Sequence, residues 1–307
     1  MRKSGIITAL AVVLSSFTPM YAGAMTDDEA YAYQPSAYFR VESSNFEVLK
    51  NGSIYIKKDK LTENNTLKVS SMYRDDSLFS KTVILRVAGS DTDNIRLGNI
   101  VNPFDIGETQ AYNQSKELYS FAFDVVEDDI LISVNCNTGL MSQKRLVPSG
   151  SATDDYPFAL FDAVISPDIP VGNYDIHYIL KSDVTDGGSM YSQVSFQYDD
   201  PTKISGKYNL ETSNLSIHVS EKDLGHINED DAVNAIDASQ IMADYSSLSS
   251  SSAPVLDDNS RIAGDVNGDG AVNSIDASLI MSYYSYASTI PEGQEAVSLS
   301  EYISQNI

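Results

Sequence analysis

Apolar and polar residues alternate with a period of two in several short runs before residue 224. Such alternation is typical of strands that bury one face and expose the other. The runs lie at residues 54–56, 83–87, 121–125, 130–136, 174–178 and 215–219. Clusters of glycine, asparagine, aspartate and proline separate them and supply turn chemistry. Many short strands without a long helical period predict a mainly β region that forms an antiparallel β-sandwich.

The pattern changes after Leu224, where two helical segments each follow a loop rich in aspartate and asparagine. Residues 232–242 and 271–281 are close copies of one another, 39 positions apart. A serine-rich run at 246–252, followed by Pro254, lies between the copies and predicts an irregular connector. Neither helix can bury its apolar stripe alone, so we expect the two copies to pack together in a small α-helical C-terminal module.

The N-terminus has the features of a cleaved secretory signal. Arg2 and Lys3 precede an apolar run at residues 6–14, and the small residues Ala22-Gly23-Ala24 follow. The apolar run is shorter than the roughly 20 residues that a transmembrane helix needs, so we expect no membrane-spanning segment. The predicted organisation is a signal peptide at 1–24, a β-sandwich at 25–223 and the helical module at 224–307, with repeats at about 226–246 and 265–286. The protein is therefore predicted to be secreted and extracellular.

Composition narrows the classes of partner and the sources of stability. The chain has 43 acidic and 20 basic residues, a formal net charge of −23, which argues against a nucleic-acid partner. Its single cysteine, Cys136, excludes an intrachain disulfide, so stability must come from packed cores and bound metal. Cys136 lies in an alternating apolar run, and we interpret it as a buried structural thiol.

The loop at residues 265–276 has the spacing of an EF-hand-type calcium loop. Oxygen-bearing side chains occupy loop positions 1, 3, 5, 9 and 12, which are Asp265, Asn267, Asp269, Asn273 and Asp276. Gly270 at position 6 permits the sharp turn, and Ala271 at position 7 supplies its backbone carbonyl. Asp276 is shorter than the usual glutamate, so it must lie close to the ion and open the following helix. The loop is predicted to bind Ca²⁺.

The corresponding loop of the first copy, at residues 226–237, departs from this spacing. Position 1 is His226, a poor ligand for a hard cation, and position 6 is Asp231 in place of glycine. The remaining candidate ligands of this weaker site are Asn228, Asp230, Ala232, Asn234 and Asp237. Either this loop binds calcium weakly or protein contacts alone hold its shape. We predict two unequal sites.

Together, these residues resemble the dockerin family. Residues 264–270, Val272-Asn273 and Ile275-Asp276-Ala277 closely match the motif of its repeats. The resemblance implies calcium as the cofactor, a cohesin module of a scaffoldin protein as the partner, and membership of a polysaccharide-degrading cellulosome, free or associated with the cell surface. It also implies that the partner contacts residues late in each loop and along the next helix. In this sequence these are Ser274, Ile275, Met281, Ser282 and Tyr286 in one copy, and Ala235, Ile236, Met242 and Ala243 in the other. An alternative for the isoleucines and methionines is that they form the core, because helical spacing alone cannot separate the two roles.

The sequence indicates the function of residues 25–223 less specifically. Residues 155–165 and 169–176 loosely resemble the closing strand pair of a cohesin, although any sandwich has such a unit. We prefer a non-catalytic adaptor that receives another dockerin. The alternatives are a module that binds plant polysaccharide and a glycoside hydrolase. The absence of tryptophan disfavours both alternatives, although the 19 tyrosines could stack on sugars. We assign no catalytic residue, and we interpret His177 and His218 as hydrogen-bonded strand histidines.

Overall fold

The computed structural model describes residues 36–74, 80–101, 119–126, 128–136, 156–185, 190–197, 206–208, 210–228, 230 and 232–306. The predicted signal peptide lies outside these residues. The chain divides into two compact units, each built from separate stretches of sequence. The first unit comprises the described parts of Met1–Ser43, Leu67–Val164 and Ile176–Asn214, and the second those of Ser44–Thr66, Ile165–Asp175 and Leu215–Ile307. None of the described helices is long and apolar enough to cross a membrane.

Short strands dominate the described residues before the C-terminal module, as the alternating runs predict. In chain order they are β1 (Ser36–Ser43), β2 (Glu47–Val48), β3 (Ile54–Lys57), β4 (Thr66–Arg74), β5 (Ser80–Gly89), β6 (Ile95–Val101), β7 (Tyr119–Val126), β8 (Asp129–Cys136), β9 (Tyr156–Ile165), β10 (Gly172–Tyr178), β11 (Gln193–Gln197), β12 (Gly206–Tyr208), β13 (Glu211–Thr212) and β14 (Leu215–Ser220). The described part of the chain also has two short 3-10 helices, at Lys58–Lys60 and Lys181–Asp183.

The first unit has strands from two sheets packed face to face. One sheet has the order β13-β1-β4-β9-β6, and in the other β5 pairs with β8, β10 and β11. Phe39 of β1 stacks on Tyr178 of β10, with ring centroids 4.4 Å apart, and meets Phe161 of β9 edge-on at 6.1 Å. The Tyr178 hydroxyl donates to the carbonyl of Tyr38 at 3.0 Å, so the polar end of this buried ring is satisfied. The predicted β-sandwich is confirmed.

Not every strand pair is antiparallel. β1 pairs in parallel with β13, and β14 pairs in parallel with β3. Both pairs join strands that are far apart in sequence, which a parallel arrangement requires because a tight hairpin can connect only antiparallel neighbours. The strand of Cys136 pairs with β7 and β5. The structure does not describe the side chain of Cys136, so its interpretation as a buried structural thiol remains a prediction.

The α-helices of the described residues lie in the second unit. They are α1 (Ala235–Ser249), α2 (Asp258–Gly264), α3 (Ser274–Ala287) and α4 (Leu299–Asn306). The two predicted helices are α1 and α3, and they pack through Ala238 and Ile241 on one side and Ala277 and Ile280 on the other, all of them buried. The first four residues of the run at 246–252 continue α1, so the predicted irregular connector starts only after Ser249.

The second unit is not confined to residues 224–307. It also includes β2 and β3, the turn before β10 and the whole of β14. In β14, Leu215, Ile217 and Val219 are buried on one face and His218 and Ser220 on the other, whereas in a strand with one solvated face the buried residues would alternate with exposed ones. The predicted boundary near residue 223 is therefore a change in sequence pattern, and the compact unit extends beyond it.

Candidate calcium loops and exposed helix faces

The loop at residues 265–276 connects α2 to α3 and is organised by its first carboxylate. Asp265 accepts hydrogen bonds from the backbone amides of Asp269, at 3.1 Å, and Gly270, at 2.8 Å. Gly270 has a φ of +87°, in the left-handed region that favours glycine, as the sharp turn requires. Burial raises the pKa of Asp265, and the charge of Asp269 adds to the increase. The loop therefore bends around a buried carboxylate.

The last carboxylate of the loop joins its two ends. Asp276 accepts from the amide of Val266 at 3.1 Å and from the amide of Asn273 at 2.9 Å. Asn273 in turn accepts from the amide of Ile275 at 2.7 Å, which completes a reciprocal cap at the start of α3. Asp276 is fully buried, and this burial, with a further increase from the Asp265 charge, raises its pKa to about 7. As expected for the shorter carboxylate, Asp276 lies in the first turn of the helix.

The side chains between these two carboxylates fold over the loop backbone. Asp269 accepts from the Ala271 amide at 2.9 Å, and Asn267 accepts from the Asp269 amide at 2.9 Å. Among the described residues, no three His, Cys, Asp or Glu side chains are grouped closely enough to hold a metal ion by themselves. The loop instead combines carboxylates with amide oxygens and the Ala271 carbonyl, all of them hard oxygen donors.

These features fit a cation. Two carboxylates, Asp265 and Asp276, are buried, and the charge of Asp265 raises the pKa of Asp276. Buried negative charges are stable only when a positive charge or several hydrogen bonds compensate them. A divalent cation held by oxygen ligands would provide this compensation, and it would favour the ionised form of both groups.

The first loop repeats most of this geometry without its first carboxylate. The fully buried Asp237 accepts from the amides of Ile227, at 2.8 Å, and Asn234, at 2.8 Å. Asp230 accepts from the Ala232 amide at 2.9 Å, and this hydrogen bond keeps the pKa of Asp230 below its usual range. Position 6, Asp231, lies outside the described residues.

Other protein groups stabilise the start of the first loop. His226 contributes its backbone amide, which donates to the carbonyl of Asp223 at 3.1 Å. The Lys222 ammonium donates to the carbonyl of Ile227 at 2.6 Å, so a protein cation already contacts this loop. Further hydrogen bonds join Asn228, Asp230, Ala232 and Asn234 to one another. These contacts are consistent with both alternatives for this loop, weak calcium binding and protein support alone.

The predicted docking isoleucines and methionines lie on the surface of the helices. Ile236 and Ile275 are 53% and 54% exposed, and Met242 and Met281 are 41% and 40% exposed. The alternative that these four side chains form the core is therefore wrong. The residues that α1 and α3 bury against each other are Ala238, Ile241, Ala277 and Ile280. Ser274, Ala235 and Ala243 are also exposed.

One exposed tyrosine on each of these helices extends the apolar surface, although neither tyrosine is among the residues predicted to bind the partner. Tyr245 and Tyr284 are large exposed side chains on α1 and α3. They are separated by the same 39 positions as the isoleucine and methionine pairs, so the repeat itself contains the signal. Each copy therefore presents isoleucine, methionine and tyrosine at equivalent positions. We refer to these two sets as the α1 face (Ile236, Met242, Tyr245) and the α3 face (Ile275, Met281, Tyr284).

Two of the predicted partner-binding residues also contact the last helix. The Tyr286 ring stacks on that of Tyr302 in α4, with centroids 4.9 Å apart. The Ser282 hydroxyl lies 2.8 Å from the hydroxyl of Tyr302, within hydrogen-bond distance. These contacts give Ser282 and Tyr286 a role in attaching α4. Their equivalents in the first copy, Ala243 and Ser247, have side chains that cannot make the same stack.

Comparison with known proteins identifies the C-terminal module. Residues 224–285 and 263–296 match the family model described as the dockerin type I domain. No curated protein matches the chain in sequence.

Solved cohesin structures resemble part of the chain at low similarity. A type I cohesin from Pseudobacteroides cellulosolvens is 11% identical in sequence, and the match covers 62% of this chain and 94% of the cohesin chain with a TM-score of 0.36. A type III cohesin module from the cell-surface anchoring scaffoldin of Ruminococcus flavefaciens has 10% identity, covers 66% and 97%, and has a TM-score of 0.37. A type I cohesin–dockerin complex from Clostridium thermocellum has 10% identity, covers 65% and 97%, and has a TM-score of 0.35. These scores are too low to assign a function.

Proposed function

Because residues 224–296 form a dockerin type I module, we propose that this protein is a secreted docking component of a cellulosome-type, polysaccharide-degrading complex. The module binds a cohesin of a scaffoldin protein, and calcium is required for this binding. The observation that carries the proposal is the pair of exposed apolar faces on a module of this family. Large apolar side chains that remain in water on both copies suit a protein partner that covers them.

Calcium is the cofactor that the second loop suits best. The residues that would hold it are Asp265, Asn267, Asp269, Asn273 and Asp276, with the carbonyl of Ala271. When bound, the ion neutralises the buried carboxylates and links the end of α2 to the start of α3. Since the apolar side chains of the α3 face begin at Ile275, next to Asp276, ordering of the loop also orders the docking face.

The first loop is proposed as a weaker site with Asn228, Asp230, Ala232, Asn234 and Asp237 as its ligands. It lacks a carboxylate at position 1, where His226 offers a nitrogen. Fewer negative ligands lower calcium affinity. The hydrogen bonds of Asp237 to Ile227 and Asn234 support the shape of this loop before any ion binds.

The docking surface combines the α1 and α3 faces with neighbouring residues. The neighbours are Ala235 and Ala243 near the first face, and Ser274, Ser282 and Tyr286 near the second. Interfaces of this kind concentrate binding energy in a few large side chains, and the contacts around them contribute little energy but exclude water. The isoleucines, methionines and tyrosines are therefore the proposed anchors.

The β-sandwich of the first unit is proposed as a non-catalytic adaptor that the dockerin brings to the complex. Its two-sheet architecture offers extended strands to a partner, as an adaptor for a further dockerin requires. Binding of the full chain to a panel of dockerins would support this role. Retention on insoluble polysaccharide, or release of sugar from it, would contradict the adaptor in favour of a binding module or a hydrolase.

Substitution of the first calcium ligand tests the docking proposal. Asp265→Ala should abolish binding of the full chain to immobilised type I cohesins in calcium buffer, because the metal and the loop are both lost. Asp265→Asn keeps an acceptor for the loop amides and removes only the charge, so it should weaken binding while the helices remain folded by circular dichroism. The matched control is Asp168→Ala, an exposed turn residue, which should bind normally. Normal cohesin binding by Asp265→Ala would refute the proposal.

A further inference from the structure

The second calcium loop contacts a segment that lies more than two hundred positions earlier in the sequence. The Asn51 side chain, in the turn between β2 and β3, donates from Nδ2 to the carbonyl of Gly268 at 2.6 Å. Its Oδ1 accepts from the amide of Ser53 at 3.0 Å and from the Ser53 hydroxyl at 2.7 Å. These two donors fix the orientation of the amide, so its NH₂ group must face Gly268.

The loop and the turn also fit closely in shape. Gly268 has a φ of +73°, and a Cβ at this position would collide with the Ser53 hydroxyl and lie 2.9 Å from Asn51 Nδ2. Glycine is thus required for two independent reasons, the left-handed backbone and the approach of the turn. Gly268 lies between Asn267 and Asp269, two of the proposed calcium ligands. Fixing its carbonyl restrains the backbone that carries both.

Apolar side chains from the same segment complete the core of the helical module. Leu49 and Tyr55 are buried in one cluster with Ile241, Ile262 and Ile280. The Tyr55 hydroxyl donates to the carbonyl of Lys222 at 2.8 Å, so its polar end is satisfied. The segment at residues 47–57 therefore contributes both to the core under the helices and to the surface of the calcium loop.

We propose that residues 47–57 are a built-in part of the docking module, and that Asn51 is a positioning residue for the calcium loop at 265–276. The inference rests on the proposed calcium binding by that loop. By holding Gly268 before the ion arrives, Asn51 reduces the ordering that calcium binding must bring about. The calcium affinity of the chain thus depends on a side chain far outside residues 224–307.

Calcium titration of the full-length chain tests this role, with a fluorescent chelator as competitor. Asn51→Ala removes the hydrogen bond to Gly268 and should weaken the tighter calcium site about five- to tenfold. The matched control is Asn259→Ala. Asn259 Oδ1 accepts from the Ser220 hydroxyl at 2.7 Å and the Glu221 amide at 2.9 Å, which attaches α2 to the end of β14 without touching the calcium loop. This control should lower the unfolding temperature and leave calcium affinity unchanged.

A second measurement does not depend on calcium. In excess chelator, hydrogen exchange at the amides of Asp269 and Gly270 should be faster in Asn51→Ala than in the wild type, and unchanged in Asn259→Ala. Equal calcium affinity and equal exchange in Asn51→Ala and the wild type would overturn the inference. Equal weakening of calcium binding by both variants would also overturn it, since Asn51 would then act only through general stability. If the wild type binds no calcium, the proposed function fails, and faster exchange in Asn51→Ala still supports positioning of the loop.

Discussion

Truncation of the exposed isoleucines is the sharpest test of the docking faces. Ile236 and Ile275 occupy equivalent positions on α1 and α3, and about half of each side chain is in water. Ile→Ala removes three carbon groups, and burial of the exposed half of them by a partner is worth about 1 kcal/mol. A residue at the centre of the interface loses somewhat more, because its neighbours lose contacts as well. We therefore expect the double variant Ile236→Ala/Ile275→Ala to bind cohesin at least about tenfold more weakly.

The two single variants show which copy the partner contacts. If the partner covers only the α3 face, Ile275→Ala accounts for the whole loss and Ile236→Ala is neutral, and the reverse holds for the α1 face. Isothermal titration calorimetry with type I cohesins in calcium buffer gives both affinities directly. Thermal unfolding should be nearly unchanged in all three variants, since exposed substitutions away from the core have small effects on stability.

A matched control separates docking from general hydrophobicity. Val255 is 59% exposed and lies between α1 and α2, outside both faces. Val255→Ala should leave cohesin affinity unchanged. If the double isoleucine variant binds cohesin as tightly as the wild type, the assignment of the two faces as the docking surface is refuted.

Three other predictions concern the metal, the pH and the core. Calcium titration should show one tight and one weaker or absent site, and two equally tight ions would contradict the inequality of the loops. His218 Nδ1 lies 2.8 Å from Asn173 Oδ1, and its Nε2 has no hydrogen-bond partner among the described residues. Burial lowers the pKa of His218, and the Asp265 charge opposes this shift. The unfolded chain therefore binds this proton more readily, and the free energy of unfolding at saturating calcium should fall as the pH drops through 6.5, the ordinary pKa. His218→Asn can keep the hydrogen bond to Asn173, and it should lose less stability than the wild type between pH 7.5 and 5.5, about one unit either side of the ordinary pKa. Chemical denaturation at both pH values measures the loss. An equal loss of stability in the variant and the wild type would contradict this assignment. Ile280→Ala, at a fully buried position, should lower the free energy of unfolding by about 3 kcal/mol, and a loss below about 1 kcal/mol would contradict its place in the core.

The repeat was readable from sequence because its chemistry is local. Oxygen donors at alternate positions, followed by an amphipathic helix, predict both the loops and α1 and α3. The caps at Asn234 and Asn273 follow the same local logic, since each side chain accepts from an amide two residues later. A short helix such as α2 was missed because Asp257, which caps it, follows a serine- and proline-containing stretch that predicts irregular structure.

The long-range features could not be predicted in the same way. The isoleucines at 236 and 275 are compatible with a core stripe or a surface stripe, and only packing of α1 on α3 through their alanines distinguishes the two. Equally, nothing near Asn51 in sequence shows that it contacts Gly268. The parallel pairing of β14 with β3 brings the segment around Asn51 into one unit with the helical module. The paired residues are far apart in sequence. Such contacts depend on the whole fold.

Reversible binding to a cohesin tests the central claim most directly. The full-length chain is passed over immobilised type I cohesins in calcium, then in excess chelator, then in calcium again. We predict binding in the first step, release in the second and recovery in the third. Absence of binding to every cohesin tested, or binding that persists unchanged in chelator, would contradict calcium-dependent docking.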